Sequence, residues 1–85
     1  MPAGPLSDAT AAFGARVRAR RQELGESQEK LADRSGLHWS FLGQVERGTR
    51  NVTLHSILRI AEALRLDPAV LVGGLRAPQA DVDAD

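Results

Sequence analysis

Cysteine and tyrosine are absent from these 85 residues, and one tryptophan and two phenylalanines are the only aromatics. Without cysteine there is no disulfide and no thiolate metal ligand. His38 and His55 lie far apart and lack metal-ligand spacing, so neither a metal nor a cofactor is expected. No apolar run approaches the ~20 residues that span a bilayer. The opening MPAGPLSDAT lacks the basic and then apolar order of a signal peptide. A soluble, cytoplasmic protein with no membrane partner is the expectation. No acid–base pair clusters, no nucleophile sits with a histidine, and no Gly-rich phosphate loop is present, so an enzyme is not expected. Nothing alternates with period two over a useful length, which argues against strands.

Net charge is also missing: eleven basic residues balance eleven acidic ones. The balance is not uniform. Residues 13–66 carry ten positive side chains against six negative, while Asp81, Asp83 and Asp85 sit at the end. This describes a mildly basic domain with an acidic appendage. The same distribution also fits a solvated mixed-charge surface. The expected organisation is a flexible arm over 1–7, one domain over 8–75 and a flexible acidic tail over 76–85, which offers a surface for a protein partner.

What is present is helical punctuation. A first helix is predicted from about Asp8 or Thr10 to Leu24, with Phe13, Val17 and Leu24 on one face and Gly25 after it. Ser27 caps a second helix over about 28–35. Gly36 turns the chain into a third over about 38–46, with Leu42 and Val45 inward. Thr53 caps a fourth over about 54–65, whose expected buried stripe is Leu54, Ile57, Leu58, Ala61 and Leu64, with Ile60 alongside. Asp67-Pro68 opens a short fifth helix, because proline at the first position gives up an N–H that has no partner there. The fold class is all-α: five helices joined by short loops. Arg16, Arg18 and Arg20 are expected to be surface charges.

Residues 27–46, SQEKLADRSGLHWSFLGQVE, hold two short helices, a tight glycine turn, a small Ala32 where the helices cross, and an apolar underside of Leu31, Leu37, Leu42 and Val45. This is helix-turn-helix spacing, in which the second helix presents its N-terminal end to the DNA major groove. The segments SQEKLA, SGL, VERGTRNVTL and ILRIAEAL fall in register with one pattern. On them the chain resembles the Cro/CI-type (XRE-like) helix-turn-helix regulators over roughly residues 13–72. The RNVTL segment is similar to the small controller proteins of restriction–modification systems.

The resemblance implies a compact five-helix repressor-like domain that binds double-stranded DNA as a homodimer. Trp39, Ser40 and Gln44 match positions that face base edges. Gln28, His38, Arg47, Thr49, Arg50 and Asn51 match backbone contacts, with Gln28 also bracing the reading helix. Arg21 and Glu46 match a partly buried ion bridge. Glu26 stands where an aliphatic residue is usual, which removes a staple contact with Leu31. Lys30 stands where a capping-box acid would be, and Phe41 replaces a frequent tyrosine. For Trp39 two placements remain open: exposed on the DNA-facing side, or packed laterally.

Leu66, Val70, Leu71, Val72 and Leu75 form an apolar patch read as a two-fold dimer face, against closure of the domain's own core. Two function classes are carried. One is a sequence-specific transcriptional regulator, including the restriction–modification controller variant. The other is an antitoxin-like or adaptor module that holds a protein partner.

Overall fold

A computed structural model describes residues 4–79. Its helices are α1 (Asp8–Glu23), α2 (Gln28–Ser35), α3 (Trp39–Glu46), α4 (Leu54–Ala63) and α5 (Pro68–Val72). No strand occurs among the described residues. Every helix begins on a side chain that accepts from a first-turn N–H: Ser7, Ser27, His38, Thr53 and Asp67. These acceptors satisfy donors that the helix itself leaves without partners. Ser7 goes further and forms a reciprocal box with Thr10, whose hydroxyl accepts from the Ser7 N–H at 3.0 Å. Threonine is not the usual Glu or Gln at that position, so the sequence pattern misses this cap.

Ser7 and Leu6 therefore stand with the domain. The Leu6 N–H donates to the Gly48 carbonyl at 2.9 Å, tying the chain ahead of α1 to the loop after α3. Residues 1–3 of the expected arm, and Asp81, Asp83 and Asp85 of the expected acidic tail, lie outside the described residues.

The core is built from Phe13 and Val17 of α1, Leu31 of α2, Leu42 and Val45 of α3, Ile60 and Leu64 around α4, and Leu71 of α5. Burying one such side chain is worth about 1.5–3 kcal/mol. α1 packs on α3 and α5, while α2 packs on α3 and α4. The α1–α3 crossing depends on Gly14: a Cβ there would collide with the Val45 carbonyl oxygen and lie 2.7 Å from that of Glu46. Gly36 makes the turn between α2 and α3 in the left-handed conformation, at φ 71°.

Two apolar assignments are corrected. Leu54 and Leu58 are 67% and 38% exposed. Ile60 and Leu64 take the centre of the buried face, and two residues round a helix is about 200°, which turns Leu58 away. Leu71, expected in the dimer face, is 0% exposed within one chain. The short α5 has one inward position, and Leu71 fills it. Leu66 and Leu75 are half-buried against the same core, whereas Val70 and Val72 point out, 55% and 39% exposed.

The arginines of α1 also depart from expectation. Arg16 Nη1 donates to the carbonyls of Leu71 at 3.1 Å and Gly73 at 2.8 Å. Arg20 Nε donates to Leu64 O at 3.0 Å. From α2, Arg34 donates to Ala63 O at 2.6 Å and also pairs with Glu26. The ends of α4 and α5 thus receive cations where their carbonyls lack partners and the helix dipole is negative. Arg18 alone of the first three stays exposed.

Candidate nucleic-acid interface

α3 begins at Trp39, with His38 as its cap: Nδ1 accepts from the Ser40 N–H at 3.2 Å and lies 2.9 Å from the Ser40 hydroxyl. This fixes the first turn of α3 while leaving His38, Trp39 and Ser40 exposed. Trp39 is 55% exposed, so its indole is not a core group. An open groove is lined by Gln28, Trp39, Ser40, Gly43, Gln44 and Arg47. Four of the expected contacts on α2 and α3 therefore share one surface with Arg47 from the end of α3.

The polar support lies directly beneath. Arg21 grips Glu46 with two parallel bonds, Nε to Oε2 at 2.7 Å and Nη2 to Oε1 at 2.9 Å. Gln28 Nε2 donates to the same Oε1 at 2.9 Å. The Glu46 side chain is 3% exposed and that of Arg21 12%, so the pair is buried as well as bidentate. Hydrogen bonding to Glu46 raises the Arg21 pKa above the ordinary arginine value, against the lowering effect of burial. A raised folded pKa gives stability that is complete below that ordinary value and lost only as pH rises through the folded one. Arg21 thus stays charged at any physiological pH. Arg21 Nη1 also donates to Glu26 O at 2.8 Å. The ends of α1 and α3, the start of α2 and the turn before it are locked together.

The loop after α3 is ordered by its own contacts. Thr49 donates twice to the Gln44 carbonyl, by N–H at 3.0 Å and hydroxyl at 3.1 Å. Its side chain serves the loop's shape. Arg50 stacks its guanidinium over Phe41, 5.3 Å from the ring centroid, so the phenylalanine that replaces a tyrosine carries a cation. Asn51 is exposed but borders recesses beside Ala9 and Thr10 of α1, away from the groove. Among the described residues no three His, Asp or Glu side chains converge as a metal site, and no helix is long and apolar enough to cross a membrane.

Gly43 carries no side chain and so offers no sequence signal of its own. It is buried at the groove floor, and Arg47, four residues on and one turn away, is the signal that something covers it.

A family model described as helix-turn-helix matches residues 17–71, well over half the chain. Control protein C.BamHI of Bacillus amyloliquefaciens is 44% identical over 61 residues, covering 71% of this chain and 75% of that protein. The restriction–modification controller protein C.AhdI of Aeromonas hydrophila superposes with a TM-score of 0.72 at 50% identity, covering 73% of this chain and 94% of that one. The controller protein C.Esp1396I, solved as a tetramer in complex with its natural 35 base-pair operator, gives a TM-score of 0.72 at 29% identity over 76% of this chain and 86% of that one. With the matched segment running from the second half of α1 into α5 and taking in Arg21, Gln28 and all of α3, the chain belongs to the Cro/CI-type (XRE-like) helix-turn-helix family of transcriptional regulators.

Proposed function

We propose that the protein is a sequence-specific double-stranded DNA-binding regulator acting as a homodimer, with the N-terminal half of α3 in the major groove. The observation that carries this is the groove at the exposed start of α3, where Trp39, Ser40 and Gln44 stand together over a rigid buried bridge. A glutamine amide matches adenine N6 and N7, and an exposed indole suits a thymine methyl or a deoxyribose face. Gln28, His38, Arg50 and Asn51 surround the reading helix as backbone contacts, Arg50 braced by Phe41, while Thr49, whose two donors are taken by the Gln44 carbonyl, shapes the loop instead of gripping phosphate. Asn51 reaches its phosphate from the α1 side.

The dimer face is redrawn around Val70 and Val72, flanked by Leu66 and Leu75, with Leu71 left to the core. A two-fold dimer sets the reading helices about 34 Å apart, one turn of DNA, and calls for a palindromic operator. The likeness to the three controller proteins supports a role as the controller of a restriction–modification system. Neighbouring methyltransferase and endonuclease genes are the check on that role.

Selection from a random duplex pool with the full chain tests the main reading. The expected product is a palindrome with half-sites one helical turn apart. Enrichment of no sequence at all sinks it and favours the protein-interaction alternative. Val70→Asp should sediment as a folded monomer; a variant that remains dimeric removes that face.

A further inference from the structure

Gly43 lies one helical turn after Trp39, at the floor of the reading groove. It has no side chain, yet it is buried. A Cβ at 43 would meet Arg47 Nη1 at 3.3 Å, Gln28 Oε1 at 3.5 Å and Arg47 Nη2 at 3.9 Å. The guanidinium of Arg47 is therefore folded back over the bare backbone of α3 at Gly43, in the groove that Trp39 and Gln44 also line. Arg47 is the C-cap of α3, so its Cα belongs to the loop while its charge belongs to the groove.

The surroundings fit a reader of bases. Arg16, Arg20, Arg21 and Arg34 all donate to protein oxygens. Among the described residues no hydrogen bond or ion pair engages the Arg47 guanidinium. Its acceptor neighbour is oriented: Gln28 commits Nε2 to Glu46, which turns Oε1 toward the Gly43 surface. A planar fork of donors with nothing else to bind matches guanine O6 and N7, the commonest bidentate contact in the major groove.

We infer that Arg47 reads a guanine edge from above Gly43, as a specificity-determining residue, rather than gripping phosphate from the loop. This rests on the DNA-binding reading above and adds a base contact to it. It makes Gly43 a positioning residue, since the missing side chain is the space that the guanidinium occupies.

Random-duplex selection and salt titration on the full chain test it with three variants. Arg47→Lys keeps the charge and loses the fork; it should leave the salt slope unchanged while preference at one G·C pair per half-site falls roughly tenfold or more. Arg47→Ala should lose the same preference. Gly43→Ala keeps Arg47 and has only side-chain atoms to displace, so it should fold, keep the salt slope and lose selectivity at that same pair. If Arg47→Ala instead weakens every duplex equally, lowers the salt slope by about one unit and leaves the selected sequence intact, Arg47 is a phosphate contact and the inference fails. Preserved selectivity in Gly43→Ala overturns Gly43's part. A wild-type chain that selects no sequence overturns the DNA-binding reading itself, an outcome distinct from both.

Discussion

Arg16, Arg20, Arg21 and Arg34 turn their guanidinium groups inward onto carbonyl and carboxylate oxygens, bridging α1 and α2 to the ends of α3, α4 and α5. Arg47 and Arg50 turn outward, one over bare helix backbone and one over an aromatic ring, with no protein oxygen as hydrogen-bond partner among the described residues. The residue type is the same in both sets, and its chemistry is divided by placement. Inward arginines hold the frame that presents the groove. Outward arginines keep unengaged donors beside it. Removing a member of the first set should therefore cost stability, and removing a member of the second should cost binding with little change in stability.

The largest effect expected is at Arg21. Arg21→Ala leaves the Glu46 carboxylate buried with only the Gln28 amide as partner. Breaking one side of a buried pair costs about 3–5 kcal/mol, against a total stability of ~5–15 kcal/mol for a domain. Urea unfolding should show a midpoint far below wild type, or an unfolded chain. A loss under about 1 kcal/mol would mean that the bridge behaves as an exposed pair, and the division between the two sets would lose its strongest member.

Arg16 and Arg18 make an internal test on one helix. Arg16 donates to two carbonyls at the end of α5, while Arg18 is exposed. Hydrogen bonds that involve a charged group are worth about 1.5–3 kcal/mol when sheltered, and Arg16 is only partly so. Arg16→Ala should cost roughly 1–2 kcal/mol by thermal or urea unfolding, and Arg18→Ala within about 0.5 kcal/mol. Equal losses would show that position along α1, rather than the carbonyl contact, decides the outcome.

Arg50→Ala moves to the outward set. Its stacking over Phe41 is worth about 0.5–1 kcal/mol at an exposed site, so unfolding should change little. Binding should weaken for all duplexes alike, with the salt slope reduced by about one unit. A change confined to one operator sequence would transfer Arg50 to the base-reading residues.

The same contrast explains what the sequence could disclose. Caps are local, so Ser27, Thr53 and Asp67-Pro68 announced three of the helix starts, and Gly36 announced the turn. The Arg21–Glu46 bridge was legible only through family resemblance, since nothing in the spacing of residues 25 apart selects that pair. Arg16 reaches Leu71 across 55 residues and Arg20 reaches Leu64 across 44. Their targets are backbone carbonyls, which carry no sequence signature. Gly14 reads as an indifferent helix residue until α3 is laid against it. Leu71 and Val70 are adjacent and equally apolar, and only the docking of α5 decides which is core and which is surface. In the groove, the residue types at 39, 40 and 44 were readable from the start of α3, whereas the return of Arg47 over Gly43 is a matter of side-chain path.

The smallest expected effect has the opposite sign and separates charge from backbone. Arg65 is the one non-glycine residue with positive φ among those described, at 56°. It follows the C-cap of α4, where the Leu66 N–H returns to Ala61 O at 3.0 Å, a helix ending that ordinarily takes glycine. The left-handed conformation costs an L-residue about 1–2 kcal/mol, and glycine returns part of that through its greater freedom in the unfolded chain, about 0.5–1 kcal/mol. Arg65→Gly should therefore raise stability by about 0.5 kcal/mol, while Arg65→Ala, which keeps the Cβ, should not. Both lose the same charge, so any shared change in the salt dependence of DNA binding belongs to the guanidinium, and the difference between them in unfolding belongs to the backbone. If the two variants unfold alike, the strain at 65 is negligible, and the exposed arginine there is neutral to the frame like Arg18.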